Sequence, residues 1–575
     1  MFYATYPHCR LIARTALLAA VSACVLLAGP AQAQQADFTL PGSADPSRTG
    51  VMQDPAPPKR ESQGESVVVD QPAVTAPDGF EQVTLQLNEI NLVGMTRYNR
   101  AEFAPVINRL KGQTITLAQI YDVVAAITEA YRRDGYVLTR VFLPPQEIDG
   151  GVVTIQIIEG YVADVRVSGN VPNSYLLRDT IAKIRGMRPL NIHALERYLL
   201  LLNDLPNTDV RGVFEPIDAE DPGAVALILD VAHDDDVAFT LGYNNYGSRY
   251  LGPHQGTASI AIPDVLIDYS LLTLGGLVSI PASETKSVQA GYMVPLNAEG
   301  TTLSTDMSAN FTLPGYSLRE LELDGVSKQV GLTVSHPLIR SRANNLYVTL
   351  GMVARNSETD VLTDRLYDDR IRSLSLGASY DFVDPFDGNS AIGANVVKGL
   401  DILGARKTGS EDLSREFGTS DFTKLTANLS RTQYLVGGYQ IFAGAQGQYS
   451  YDPLLSSEEF GFGGNYMGRA YDNSEIIGEH GVGMVVEARY KTIVVADRAA
   501  IQPFVFYDFG KVWNTDPNDN TNMSAASAGV GTRFQLFDNI SGEAQVAQPL
   551  TKPIDTPLYG SDDKPRFLFS LTTAF

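Results

Sequence analysis

The sequence predicts a mainly β protein: a roughly 16-stranded transmembrane antiparallel β-barrel preceded by two small βααββ domains. Three observations carry that reading. Gly, Tyr and Phe are abundant, at 50, 27 and 23 residues, while charged residues make up only 19% of the chain; a barrel whose lipid-facing and lumen-facing residues alternate has that composition. Beyond residue 34 no apolar run reaches the roughly 18 residues that a spanning helix needs. From about residue 235 onward, polarity alternates with the period of a strand.

Residues 1–33 read as a secretory signal. Arg10 and Arg14 precede the apolar run Ala16 to Ala28, and Ala31-Gln32-Ala33 offers a small-residue cleavage site. A lipoprotein-type cut before Cys24 would split that run, which continues through Val25-Leu26-Leu27. Cys9 and Cys24 both lie inside the signal, so the exported chain has no thiol chemistry. Residues 34–79 are rich in Pro, Asp and Ser around Asp54-Pro55-Ala56-Pro57-Pro58 and read as a linker or a partly ordered N-terminal segment.

Residues 80–160 carry the first βααββ unit. Val83 to Val93 alternates, with an irregularity near Asn88. Thr116 and Gln119 form a capping box for a helix whose stripe is Leu117, Ile120, Val124, Ile127 and Tyr131, and Gly135 ends it. Strands are expected at Tyr136 to Phe142 and Gly151 to Glu159. The same order returns over residues 161–234: strand Val162 to Val167, helices Asn173 to Arg185 and Ile192 to Asn203, then strands Asp209 to Phe214 and Ala224 to Val231.

After Asp234-Asp235-Asp236 the barrel begins. Val237, Phe239, Leu241 and Tyr243 face one way, and at the other end so do Phe567, Phe569, Leu571, Thr573 and Phe575. The stretch 235–575 holds about 16 strands at roughly 20 residues per strand and connection. An even number leaves both ends, and the two small domains, on the periplasmic side. The polar tracts Asn356 to Arg370, Lys407 to Asp421 and Asn514 to Asn522 are then outer loops.

No motif of catalysis is present. His8, His193, His233, His254, His336 and His480 are scattered without zinc spacing, and the sequence has no Walker loop, nucleophile elbow or dinucleotide fingerprint. No cofactor, metal or enzyme activity is expected, and a net charge of −22 argues against nucleic acid. The informative stretch is Phe460 to Gly481, too polar and glycine-rich for a strand. After it, Glu487 shares an inward face with Gly483, Val485 and Arg489. Asp508, alone among Phe504, Phe506, Tyr507 and Phe509, must also face inward, because lipid penalises a carboxylate. It needs a cation, and Arg469 qualifies if its loop folds into the barrel.

Met467-Gly-Arg-Ala-Tyr-Asp472, Gly478-Glu-His-Gly481 and Phe506-Tyr-Asp-Phe-Gly510 resemble the paired loop and strand motifs of the outer-membrane translocators of two-partner secretion. Those are the haemolysin and filamentous haemagglutinin transporters, within the superfamily of the barrel-assembly insertases. Asn245-Tyr-Gly-Ser-Arg-Tyr250 is similar to the family's opening hairpin. Gly135 to Gly160 and Leu190 to Pro206 resemble its two polypeptide-transport-associated domains. One departure is Ala470, where the superfamily often carries Gly.

The resemblance implies an inward-folded sixth outer loop at 463–481, with Arg469 paired to Asp508 near Glu487, and with Tyr471, Asp472, Gly478 and Gly510 in the same motif. It implies periplasmic domains that capture an unfolded exoprotein, of adhesin or haemolysin type, through its N-terminal secretion domain, and export it without ATP. An extended guest strand would add to a sheet edge beside the helix at 117–131, near Leu117, Ile120, Val124, Tyr136 and Val137. Besides the exoprotein, outer-membrane lipids are the expected partners. In many family members an N-terminal helix plugs the pore; residues before 80 hold no convincing amphipathic helix, which leaves the plug open. The rival reading is an insertase for other barrels, although those usually carry more periplasmic repeats.

Overall fold

The computed structural model describes residues 40–49 and 74–575, apart from 170, 173, 218–220, 497, 516–521, 538, 555 and 559. The expected signal segment lies outside the described residues.

The first periplasmic unit is built as its apolar pattern requires. Thr116 caps the helix Leu117–Arg133, and its own backbone N–H donates to Gln119 Oε1 at 3.0 Å. Ile120, Val124 and Ile127 pack fully buried against Leu87, Ile90, Val153 and Ile155. The sheet runs Glu89–Val93, Val152–Ile158, Arg140–Phe142, the first pair parallel and the second antiparallel. The irregularity near Asn88 separates Thr84–Gln86 from Glu89–Val93.

The strand expected at Tyr136 to Phe142 shrinks to Arg140–Phe142. Thr139 closes a turn on the carbonyl of Tyr136 at 3.1 Å. The Tyr136 ring meets Tyr131 edge-on, so packing of its side chain outweighs the local strand pattern.

The second unit repeats the topology, with Tyr161–Ser168 parallel to Ala224–His233 and Thr208–Pro216 antiparallel to it. Helices Tyr175–Gly186 and Ile192–Asn203 cover the sheet. The two units abut at Gly135, which has φ +88° and where a Cβ would lie 2.7 Å from the His193 ring. Only glycine serves there.

The barrel closes as 16 antiparallel strands, counting the interrupted pair His480–Tyr490 and Ile493–Ala496 as one. That ladder breaks opposite Pro503, which has no N–H to give. First and last strands join through Leu241 opposite Thr573 and Asn244 opposite Ser570. Phe239, Leu241, Val330, Leu350, Leu376 and Phe567 are exposed on the outer face, where lipid covers them.

One wall stands taller than the rest: Leu323–Arg340, Asn344–Val361 and Asp364–Asp384 have 18, 18 and 21 residues. The tract Asn356 to Arg370, expected as a loop, therefore belongs to strands that continue above the membrane and turn at Leu362, whose φ is +56°. The tract is polar on both faces, with Asn356, Glu358 and Arg370 outward and the buried Ser357, Thr359 and Asp369 inward. Lys407 to Asp421 lies in an irregular connection, and most of Asn514 to Asn522 falls outside the described residues.

The second unit docks on two periplasmic turns. Glu299 accepts from Lys183, Tyr198 and Arg197 at 2.5, 3.0 and 3.4 Å, and Arg340 grips Asp204 through two bonds of 2.8 and 2.9 Å. Burial raises the Glu299 carboxyl, but hydrogen bonds from Lys183 and Tyr198 outweigh that and hold it below its ordinary value.

Part of the expected linker is ordered and buried. Gly42–Ala44 and Pro46–Arg48 form two 3₁₀ turns inside the barrel near its outer end, and Asp45 caps the second by accepting from Ser47 N at 2.8 Å. Asn310 donates to the carbonyls of Pro46 and Thr49, Ser248 to that of Ser43, and Tyr367 to Asp45. The absence of an amphipathic pattern is explained by this all-round contact: the segment is held by polar bonds to its backbone, not by an apolar stripe.

Candidate functional site

The sixth outer loop, 451–479, turns back into the lumen. A dry site obliges its backbone to pair, and the loop does so as a small hairpin, Phe460–Phe462 against Ile476–Gly478. This corrects the expectation that Phe460 to Gly481 contains no strand. Its glycine content serves the tip, where Gly463, Gly464 and Gly468 all have positive φ.

Arg469 sits at the tip and is 2% exposed. Its guanidinium donates to Asp508 through Nη2 at 3.0 Å and Nε at 3.2 Å, and to Glu487 through Nη1 at 2.7 Å. Asp508 also accepts from the backbone N–H groups of Gly468 and Arg469, each at 3.0 Å, and from Ser527 at 3.1 Å. The wall thus reads both the charge and the backbone shape of the tip.

Glu487 is shared. Arg489 reaches it at 2.6 Å and Arg533 at 3.1 Å, and Arg533 also binds Glu543 at 2.8 Å. Each arginine lies over a phenylalanine ring: Arg469 over Phe506 at 3.6 Å, Arg489 over Phe442 at 4.2 Å, Arg533 over Phe504 at 4.3 Å. Stacking keeps the guanidinium planes edge-on to the carboxylates, where bonds of this geometry form.

The rest of the loop is pinned at other points. Tyr471 is fully buried, and its hydroxyl donates to the carbonyls of Ala526 and Lys552. Asp472 accepts from Arg249 at 2.8 Å and Arg566 at 2.9 Å, and Arg249 also binds Glu475. Gly510 gives Phe462 a flat seat: a Cβ there would lie 2.2 Å from the ring. Gly478 lies where a Cβ would come within 3.1 Å of Val512 and the Trp513 backbone. Arg48 of the N-terminal turns donates to the carbonyls of Ser456 and Glu459, tying that segment to the loop.

The structure therefore brings Arg469, Tyr471, Asp472, Gly478, Glu487, Asp508 and Gly510 together. It does not bring together the five residues expected to meet a guest strand. Ile120 and Val124 have no exposed surface and serve the core of their own domain. Leu117, Tyr136 and Val137 are half-buried. The helix packs against the sheet beside the edge strand Arg140–Phe142, where Phe142 is exposed.

Sequence reasoning missed Arg249 as a ligand of the loop, and Arg533 and Arg566 altogether. Arg533 carried a signal: in Asn522–Leu536 it is the single charge, and a lone arginine at membrane depth faces inward. His480 is a structural residue, bonded to Ser450 and Thr515 and stacked on Trp513.

A closed barrel with an outer loop pinned in its lumen and small βααββ domains at its periplasmic end defines an outer-membrane transporter. Residues 223–534 match the family described as haemolysin secretion/activation protein ShlB/FhaC/HecB, and residues 85–160 match the POTRA domain of ShlB type. The chain belongs to that haemolysin secretion/activation family. It is an outer-membrane translocator of exoproteins, with its N-terminal domains in the periplasm.

Among its relatives are the heme/hemopexin transporter protein HuxB of Haemophilus influenzae, 22% identical over 82% of this chain and 84% of that protein, and the outer membrane transporter CdiB of Escherichia coli, 23% identical over 83% and 80%. Two solved structures share the fold. CdiB from Escherichia coli superposes with a TM-score of 0.74 at 20% identity, covering 89% of this chain and 94% of that one. CdiB from Acinetobacter baumannii gives 0.64 at 17% identity over the whole of both chains.

Proposed function

We propose that this chain captures an unfolded exoprotein in the periplasm by strand addition and passes it outward through the barrel without nucleotide hydrolysis. The observation that carries the reading is the filled lumen. The sixth outer loop and residues 40–49 are both held inside the barrel by hydrogen bonds and ion pairs. A polypeptide can pass only where those polar contacts are exchanged for contacts with the guest. Water and a passing backbone can satisfy the polar groups in that exchange, and the loop side chains Phe462, Met467 and Ile476 leave their apolar cluster with Phe504, Phe506 and Val512 as it moves.

Capture would use the free edge Arg140–Phe142 rather than the helix stripe. Main-chain pairing at an open edge accepts many sequences, as an unfolded cargo of adhesin or haemolysin type requires. The free energy for transit would come from folding of the cargo outside, since the sequence carries no nucleotide motif.

The test is site-specific photocrosslinking in the full chain during export. A crosslinker at Phe142 should capture the N-terminal region of the cargo, and one at the buried Ile120 should not. Export-dependent crosslinks from neither Phe142 nor the lumen residue Glu487 would remove the reading.

A further inference from the structure

Beyond the strand His480–Tyr490 the barrel wall runs on into the periplasm as Ile493–Ala496, past the end of its neighbour. The adjoining strand Tyr439–Ser450 pairs no further than Tyr439 opposite Tyr490, and its turn closes with Lys491 N donating to the Gly438 carbonyl at 2.7 Å. Past that point Ile493–Ala496 has, among the described residues, a single ladder: Ile493 opposite Ile501, Val494 opposite Ala500 and Ala496 opposite Ala499. The far side of this ribbon is covered, since Ala499, Ala500 and Ile501 pair in turn with Leu536, Gln535 and Phe534. The projecting piece therefore has one open edge, and part of its backbone N–H and C=O groups point away from the ladder.

The edges of the two periplasmic sheets are blunted by charge. Arg140–Phe142 carries Arg140, Tyr161–Ser168 carries Asp164 and Arg166, and Thr208–Pro216 carries Asp209, Arg211 and Glu215. Ile493–Ala496 reads Ile-Val-Val-Ala, with no charge at all. Ile493 and Val494 are 36% and 73% exposed. Successive residues of a strand point to opposite faces, so both faces of this piece are apolar and open, whereas a membrane surface would cover one. The register slips between Val494 and Ala496, which leaves Val495 outside the ladder and 56% exposed. An uncharged apolar edge invites pairing by another backbone.

We propose that Ile493–Ala496 takes up an extended segment of the unfolded exoprotein at the periplasmic mouth, as an added strand, before the segment enters the lumen. A row of unpaired N–H and C=O groups is complementary to one kind of occupant, another extended chain, and apolar side chains on both faces accept many sequences. The edge also hangs from the conduit itself: the strand it pairs with, Ala499–Trp513, carries Asp508, which holds Arg469 in the lumen. The inference rests on the reading that an unfolded exoprotein crosses this end of the barrel. It does not depend on capture at Arg140–Phe142.

The experiment traps a peptide on the full chain in detergent by disulfide exchange in a glutathione buffer. The two native cysteines, Cys9 and Cys24, lie in the expected signal, so Val494→Cys stands alone in the exported chain. The probe is a 12-residue peptide of alternating Thr and Val with Lys at both ends and one central cysteine. Val494→Cys should retain about ten times more peptide than Phe386→Cys, an equally accessible periplasmic turn position. The same peptide N-methylated at every residue keeps its side chains but loses its N–H groups, and should fall to the Phe386→Cys level. Val495→Lys, which supplies the charge that the other edges carry, should lower trapping at position 494 by about the same factor, with heat-modifiable migration unchanged. Equal trapping at positions 494 and 386, or full trapping of the N-methylated peptide, overturns the proposal. Disulfide-linked pairs of the transporter itself, formed through Val494→Cys, would assign the edge to a second copy and overturn it too. Either result alongside export-dependent crosslinks from Glu487 would sink this inference and leave passage through the lumen standing.

Discussion

Arg249 of the first outer loop holds Asp472 of the sixth twice over, through its backbone N–H at 3.0 Å and its guanidinium at 2.8 Å. Both side chains are 7% exposed. The first hairpin of the barrel therefore fastens the loop that fills it, across 223 residues of sequence. Breaking a buried pair of this kind costs about 3–5 kcal/mol, and in Arg249→Ala the Asp472 carboxylate keeps Arg566 as its cation and the backbone N–H of position 249 as a donor. Arg249→Ala should leave the barrel assembled and make Ser474, introduced as a cysteine, reactive to a soluble maleimide. An unreactive Ser474→Cys in the Arg249→Ala background would show that the contact does not hold the loop.

Arg469 and Asp508 form the inner fastening. Because the strand ladder does not depend on them, Arg469→Ala and Asp508→Ala should insert normally and lose most export, scored as secreted cargo per assembled transporter. Asp508→Asn should fare better than Asp508→Ala, since an amide oxygen can still accept from Gly468 N and Arg469 N. Exchange of the two residues should recover part of the activity at most, because Phe504 and Phe506 crowd position 508. Normal export by both alanine variants would reduce Arg469 to packing.

Gly510 and Phe462 predict a steric test. Gly510→Val puts methyl groups where the Phe462 ring lies, so the loop hairpin should lift and the barrel should lose thermal stability. Adding Phe462→Ala should restore part of it. Melting temperatures that simply sum for the double variant would mean the two positions do not touch.

Glu299 gives a pH dependence with a defined sign. Its folded carboxyl lies below the ordinary value of 4.5, so the docking it contributes is complete above that pH and is lost as pH falls through the folded value. Glu299→Gln should remove the acid sensitivity of the joint while weakening it at neutral pH. Hydrogen exchange at Lys183 to Tyr198 measures it, and an acid transition unchanged in Glu299→Gln would assign the effect elsewhere.

Residues 40–49 close the outer end of the lumen. Deleting them should raise single-channel conductance in planar bilayers and leave barrel stability nearly unchanged, because their contacts are to loop and upper-wall groups. Asp45→Ala with Arg48→Ala should give a smaller rise in the same direction. A deletion that conducts like the intact chain would show that the loop alone seals the pore.

The sequence made the barrel and both small domains legible because each rests on a local period. The capped helix after Thr116 and the alternation at Phe239 or Phe567 are visible within a dozen residues. Arg469 and Asp508 were legible for a different reason: a carboxylate among phenylalanines has few tolerable neighbours. What stayed hidden depends on non-local contacts. Nothing in Pro41 to Thr49 signals burial, since its partners, Asn310, Tyr367 and Ser248, lie hundreds of residues away. The upper wall from Asn356 to Arg370 reads as a loop because its buried inward residues, Ser357, Thr359 and Asp369, are as polar as its outward ones, which erases the alternation that marks a strand. Ile120 and Val124 were placed near a guest surface although the same stripe also had to cover its own sheet, and the core won.

The three arginines stacked on phenylalanines face three carboxylates, Glu487, Asp508 and Glu543. Formally the group sums to zero, yet its fields are strong at short range and cancel within a few ångströms. To a chain sliding past, such a surface is electrically even: an acidic stretch meets as many repelling groups as a basic one. Transit should then depend on the bulk and foldedness of the cargo and hardly at all on the sign of its charge, which lets one conduit serve segments of either polarity in the same long substrate.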